Sequence, residues 1–161
     1  APFGPRRTVA VPGVAVRETG ARRWTPSIDF ETSRATVPIL EPGGAIVNVG
    51  AVVGFRGFPG DVAYGSAKAG LSGMTQVLAA ELAPRNIRVN LVVPGFVDTD
   101  MTSTLSGRAR EKIIASIPAG RIGEASEIAQ VIVDVAGATY MYGATVPVDG
   151  GLLNSFIGPG R

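Results

Sequence analysis

Two side chains four positions apart, Tyr64 and Lys68 in the run Tyr64-Gly-Ser-Ala-Lys68, have the types and spacing for proton chemistry. On a helix, positions four apart share a face, so a phenol and an ammonium meet there. A neighbouring cation favours the phenolate and draws a tyrosine pKa down from about 10. That suits Tyr64 to acid or base work near neutral pH. Competitors are few, because the 161 residues include no histidine and no cysteine. Their absence excludes disulfides, thiol nucleophiles, the usual Cys/His zinc sites and a Ser-His-Asp triad. Proton transfer at neutral pH therefore falls to a perturbed Asp, Glu, Lys or Tyr. Tyr and Lys at this spacing are also common on ordinary helix surfaces, so the pair alone defines a candidate and not a site.

The elements that must position the pair follow from the pattern after Pro42. Gly43-Gly44 marks a turn, and the apolar run Ala45–Val49 reads as a buried strand. A glycine-rich loop spans Gly50 to Gly60. Residues Val62 to Leu82 read as a helix, with Ala67, Leu71, Met74, Leu78 and Leu82 at helical spacing and Pro84 just beyond. Ile87–Val93 is a second apolar strand, stopped by Pro94-Gly95, and Asp98-Thr99-Asp100-Met101 forms a polar loop. Helices are expected over Ser106–Ile117, broken at Pro118, and over Glu124–Val135, whose acidic first turn suits the helix dipole. Thr145–Val148 is a last short strand before Asp149-Gly150-Gly151. Strands alternating with helices predict parallel strands joined by crossovers, with Ala45–Val49, Ile87–Val93 and Thr145–Val148 as neighbours in one sheet.

Residues 1–42 differ in character. Pro2, Pro5, Pro12, Pro26, Pro38 and Pro42 punctuate them, and neither a helical nor a strand period is sustained. Thr8–Val11 and Val14–Val16 read as short strands about the Pro12-Gly13 turn signal, and Trp24 to Leu40 has room for one short helix. The formal charge of +2 resides here, in six arginines against Glu18, Asp29, Glu31 and Glu41, whereas nine basic and nine acidic groups cancel over residues 43–161. Arginines scattered among prolines and glycines form neither a helix face nor an aromatic-interleaved patch, so no nucleic-acid partner is expected. With 45% hydrophobic and 17% charged residues, the composition is that of a globular protein. No apolar run approaches the roughly 18 residues of a spanning helix and the start lacks the order of a secretory signal. The expectation is a cytoplasmic protein without a membrane partner.

Five runs occur in order: Gly44-Ala-Ile-Val-Asn-Val-Gly50, Tyr64-x-x-x-Lys68-Ala-Gly, Asn90-Leu-Val-Val-Pro-Gly-Phe-Val-Asp-Thr-Asp-Met101, Pro118-Ala-Gly-Arg-Ile-Gly123 and Val148-Asp-Gly-Gly151. Over about residues 39–157 this series closely resembles the C-terminal half of the short-chain dehydrogenases/reductases, and within them the 3-oxoacyl-[acyl-carrier-protein] reductases. The resemblance implies an α/β fold with a doubly wound, Rossmann-like parallel sheet, incomplete at its N-terminal side. Residues 1–42 then form an irregular, degenerate segment and 43–161 the C-terminal half of a reductase domain. It further implies a carbonyl reductase in which Tyr64 gives a proton to the carbonyl oxygen. Lys68 would lower the tyrosine pKa and bond the nicotinamide ribose. Pro94 and Gly95 would let backbone approach the nicotinamide ring, and Val97 and Thr99 would hold its carboxamide. The stretch from Met101 to Pro118 corresponds to a lid over the substrate. The implied cofactor is NADPH, with NADH the alternative, and the implied substrate a small-molecule or acyl-carrier-bound 3-oxoacyl thioester. A homo-oligomer is expected, with the small residues Ala67, Gly70 and Gly73 permitting close helix approach.

Two departures qualify this. The family's catalytic serine lies thirteen residues before the tyrosine, where this chain has Ala51; Gly50 offers no hydroxyl either, and Ser66 stands at a position without that role in the family. The family's glycine-rich pyrophosphate turn has no counterpart, because Trp24 and Pro26 follow Thr19-Gly20 where later glycines belong. A degenerate or truncated copy, or pieces of a longer protein, would each account for the missing half. The alternative function is a catalytically impaired family member acting as a binding or assembly subunit.

Overall fold

A computed structural model describes Leu40, residues 42–99, Thr102 and residues 107–155. The expected strands at Thr8–Val11 and Val14–Val16 and the helix within Trp24 to Leu40 lie outside the described residues, Leu40 excepted. In chain order the elements are β1 (Ala45–Val49), α1 (Val62–Leu82), β2 (Arg88–Pro94), β3 (Val97–Asp98), α2 (Gly107–Ser116), β4 (Gly123–Glu124), α3 (Ala125–Gly137) and β5 (Thr145–Val148). Single helical turns sit at Val52–Gly54, Ala83–Arg85 and Leu152–Asn154.

Strands β1, β2 and β5 form one parallel sheet in the order β1-β2-β5. Ala45 lies opposite Arg88 and Leu91 opposite Thr145. The central strand is buried on both faces, as a parallel sheet between helices requires, and its β-branched and leucine residues suit that position. On one face Val89, Ile87 and Ile46 pack with Ala79 and Leu82 of α1. Leu91, Val93 and Val52 pack with Leu71 and Leu152 on the same side. On the other face Ala45, Val47 and Val92 meet Ile128, Val135 and Ala136 of α3. Helices thus cover both sides of the sheet, which is the doubly wound arrangement.

Two buried polar side chains brace this core. The Arg88 guanidinium donates to the Ala136 and Ala138 carbonyls at 2.8 and 2.9 Å, satisfying orphan acceptors at the end of α3. Asn90 donates to the Met141 carbonyl at 2.8 Å and accepts from the Ala144 amide at 3.0 Å, which fixes the entry to β5. The expected boundaries shift slightly. Ile87 precedes the second strand, which extends through Pro94, and Glu124 is not the first helical residue but the N-cap of α3, in a capping box with Glu127.

Candidate functional site

The three strands end together. The Gly50 amide donates to the Val92 carbonyl at 2.8 Å, and the Gly95 amide to the Val148 carbonyl at 3.0 Å. Gly50, Gly95 and Asp149 therefore open three loops at the C-terminal edge of the sheet, where ligands of open α/β sheets bind. The N-terminal turns of α1 lie over the same edge. Lys68 reaches down from α1 to donate to the Val49 carbonyl at 3.0 Å, and its ammonium lies 5.7 Å from the centre of the Tyr64 ring. The predicted pair therefore shares a helix face at the strand ends.

Backbone packing fixes α1 to the loop after β1. A Cβ on Gly54 would fall 2.7 Å from the Ala69 nitrogen and 2.8 Å from the Lys68 carbonyl carbon, and one on Gly65 would fall 3.2 Å from the Val53 oxygen. Only glycine allows the Val52–Gly54 turn to lie this close to the helix that carries Tyr64 and Lys68. Ala51 begins this turn in extended backbone, φ −163° and ψ 154°, and its carbonyl accepts from the Gly54 amide at 3.0 Å. Ser66 is exposed on the helix.

The electrostatics depart from the expectation that Lys68 depresses the Tyr64 pKa. Burial, and then the Asp61 carboxylate, hold the Tyr64 phenol above its ordinary value. Burial holds the Lys68 ammonium below its ordinary value. The ammonium bonds the Val49 carbonyl and lies 5.7 Å from the ring centre, and burial with the Asp61 carboxylate decides the direction of the phenol's shift.

Of the other predicted positions, Pro94 closes β2 opposite Val148. At Gly95 a Cβ would lie 2.7 Å from the Asp149 Cα, so its absence is already demanded by packing inside the protein. Val97 belongs to β3, which pairs with β4 through Val97 and Gly123, a two-residue pairing too short for sequence patterns to announce. Thr99 is exposed, and its amide donates to the Thr102 hydroxyl at 3.0 Å; that hydroxyl lies 2.9 Å from the Val97 carbonyl. Among the described residues no hydrogen bond joins Val97 or Thr99 to Tyr64 or Lys68. Asp100 and Met101 lie outside the described residues. Helix α2, which falls in the stretch expected to form a lid, docks through half-buried Ile113 and Ile114 and through Arg110, which meets the Asp98 carboxylate at 3.0 Å.

The parallel sheet, the Tyr64–Lys68 helix at its C-terminal edge and the loop from Pro94 to Thr99 are an open α/β frame with its ligand-facing edge formed by three loops. The family model described as enoyl-(acyl carrier protein) reductase matches residues 29–153, and the chain belongs to the short-chain dehydrogenase/reductase family. It is 52% identical over 114 residues to a 3-oxoacyl-[acyl-carrier-protein] reductase of Pseudomonas aeruginosa, covering 70% of this chain and 46% of that protein. A second such reductase, of Thermotoga maritima, is 47% identical over 128 residues, covering 77% of this chain and 52% of its own length. Among solved structures, a blue fluorescent protein from a metagenomic library, in complex with NADPH, superposes with a TM-score of 0.72 at 35% identity, over 76% of this chain and 51% of that one. The chain spans about half the length of the curated relatives it matches.

Proposed function

We propose that residues 43–161 form the substrate-side half of an NAD(P)H-dependent carbonyl reductase acting on 3-oxoacyl thioesters, free or carried on an acyl carrier protein. The observation that carries this reading is the placement of Tyr64 and Lys68 on one face of α1, above the C-terminal ends of three parallel strands. The Tyr64 hydroxyl makes no hydrogen bond among the described residues, and a phenol held above its ordinary pKa keeps its proton at neutral pH. It is therefore a proton donor in waiting. As the proton leaves for the carbonyl oxygen, the Lys68 ammonium, 5.7 Å from the ring, stabilises the developing phenolate.

The residues fit the nicotinamide end of a dinucleotide. An ammonium has three donors, and Val49 takes only one from Lys68, leaving two for ribose hydroxyls. Pro94, Gly95, Val97 and Thr99 follow one another along the loop that leaves the same sheet edge and would border the ring and its carboxamide. When bound, the nicotinamide supplies the hydride to the carbonyl carbon. NADPH is preferred over NADH in this reading, supported by the NADPH held by the structural neighbour. The outward side of α1, with Val62 80% and Val77 56% exposed among exposed Ala69, Gly70 and Gly73, suits packing against a second copy, so a homo-oligomer belongs to the reading.

One observation favours a second reading. Ala51 leaves the substrate carbonyl without a hydroxyl donor at the start of the Val52–Gly54 turn, as a subunit retained for binding or assembly would. Adding NADPH to the purified chain and then a 3-oxoacyl thioester separates the two. Cofactor binding followed by slow oxidation supports the reductase; a chain that binds no cofactor and associates with other proteins of the family supports the subunit.

A further inference from the structure

Arg56 stands in the loop after β1, between Ala51 and Tyr64, and the reaction described above does not use it. Its guanidinium donates to the Leu152 carbonyl at 2.8 Å and to the Ser155 hydroxyl at 3.0 Å, nearly a hundred positions further along the chain. Ser155 in turn donates to the Leu152 carbonyl at 2.9 Å. The turn that Arg56 grips is stiffened from within, because the Asp149 carboxylate accepts from the Gly151 and Leu153 amides at 2.9 and 2.7 Å. The same turn touches Ile117–Ala119, just after α2, at the far end of the stretch that the family resemblance reads as a lid. The Ala119 amide donates to the Gly150 carbonyl at 3.0 Å, a Cβ on Gly150 would fall 2.8 Å from Ile117, and one on Gly151 would fall 3.1 Å from Pro118. It also abuts Gly95 through Asp149.

We propose that Arg56 is a positioning residue that couples the loop carrying Ala51 to the C-terminal hinge of the lid through the turn Asp149–Leu152. Its guanidinium sets the register of the turn, and the turn sets Ile117–Ala119, so the floor of the substrate site and the root of its lid move as one body. The coupling stands on these contacts alone; its consequence for catalysis rests on the reductase reading.

Hydrogen–deuterium exchange on the full chain tests the two separately, comparing the parent with Arg56→Ala and Arg56→Lys. Removing charge-assisted bonds from a part-buried turn raises local exchange by roughly tenfold or more. In Arg56→Ala that rise is expected at Ala119 and over 150–154 as well as over 50–60, with β2 unchanged. Arg56→Lys, which keeps one donor within reach of the Leu152 carbonyl, recovers part of the protection at Ala119. Faster exchange confined to 50–60 overturns the coupling, and so does a uniform rise that includes β2. In the reductase assay the Ala variant raises KM for the thioester severalfold more than it lowers kcat, and the Lys variant restores KM in part. An unchanged KM alongside loosened Ala119 overturns the catalytic consequence and leaves the exchange result to stand on its own. A parent without activity removes the reductase reading, and exchange still decides the coupling.

Discussion

Replacing Ala51 with serine puts a hydroxyl donor where the proposed reductase site has none. The backbone there is extended, so a serine side chain enters without strain. The turn that follows is pinned by the Gly54, Phe55 and Arg56 amides, bonded back to Ala51 and Val52 at 2.8 to 3.0 Å, and by the contact of Gly54 with Ala69. A hydroxyl placed on this frame loses only its own rotor freedom when it meets the carbonyl oxygen. Removing a single polarising donor from comparable sites costs about 10²–10³ in kcat, or roughly 2.7–4 kcal/mol of transition-state stabilisation. The pinned frame places Ala51→Ser within that range as a gain. NADPH oxidation in the presence of a 3-oxoacyl thioester, followed for parent and variant at several substrate concentrations, measures it. The gain is expected in kcat, with cofactor affinity little changed, because the added bond strengthens as negative charge gathers on the oxygen. Equal kcat in the two proteins would refute the reasoning, for it would mean that another group already polarises the carbonyl.

The remaining predictions concern the frame. Gly54→Ala drives a methyl into the Lys68–Ala69 backbone and is expected to cost about 1–3 kcal/mol, read from denaturant unfolding. Arg88→Leu strands the Ala136 and Ala138 carbonyls at the end of α3 and is expected to cost on the order of 3 kcal/mol, read in the same way. The Glu127 carboxyl, bonded to Arg121 and to the Glu124 amide, is lowered from 4.5 to about 2. Its contribution to stability is therefore complete above pH 4.5 and fades as pH falls towards 2. The melting temperature of the parent should drop more steeply over that window than that of Glu127→Gln, and added salt should narrow the difference.

Much of the frame was legible because apolar spacing and stop signals agreed. Leu71, Leu78 and Leu82 with Pro84 beyond them marked α1 to the residue, the run Ala45–Val49 read as a buried strand, and Thr145–Val148 as a last short strand. The pairing of β3 with β4 was not legible, since two residues carry no period. Nor were the reasons for Gly54, Gly65 and Gly95, which depend on what packs across from each one. Arg88 was hidden in an apolar run, because only the fold brings the end of α3 to it. At the site, spacing placed Tyr64 and Lys68 on one face but could not say where the ammonium points. It bonds Val49, and burial of the phenol, with the Asp61 carboxylate nearby, reverses the direction of the phenol's shift. Arg56 gave no local signal at all, for its partners, Leu152 and Ser155, lie at the other end of the described chain.

The central claim is that Tyr64 delivers the proton to a carbonyl reduced by a nicotinamide. Its most direct test is the rate of NADPH oxidation by the parent chain and by Tyr64→Phe, with a 3-oxoacyl thioester present and cofactor binding measured alongside. The phenyl ring keeps the packing of α1 and the cation over the ring and removes only the hydroxyl. The account predicts slow turnover in the parent, none above background in Tyr64→Phe, and equal NADPH affinity in both; equal turnover in the two proteins would contradict it.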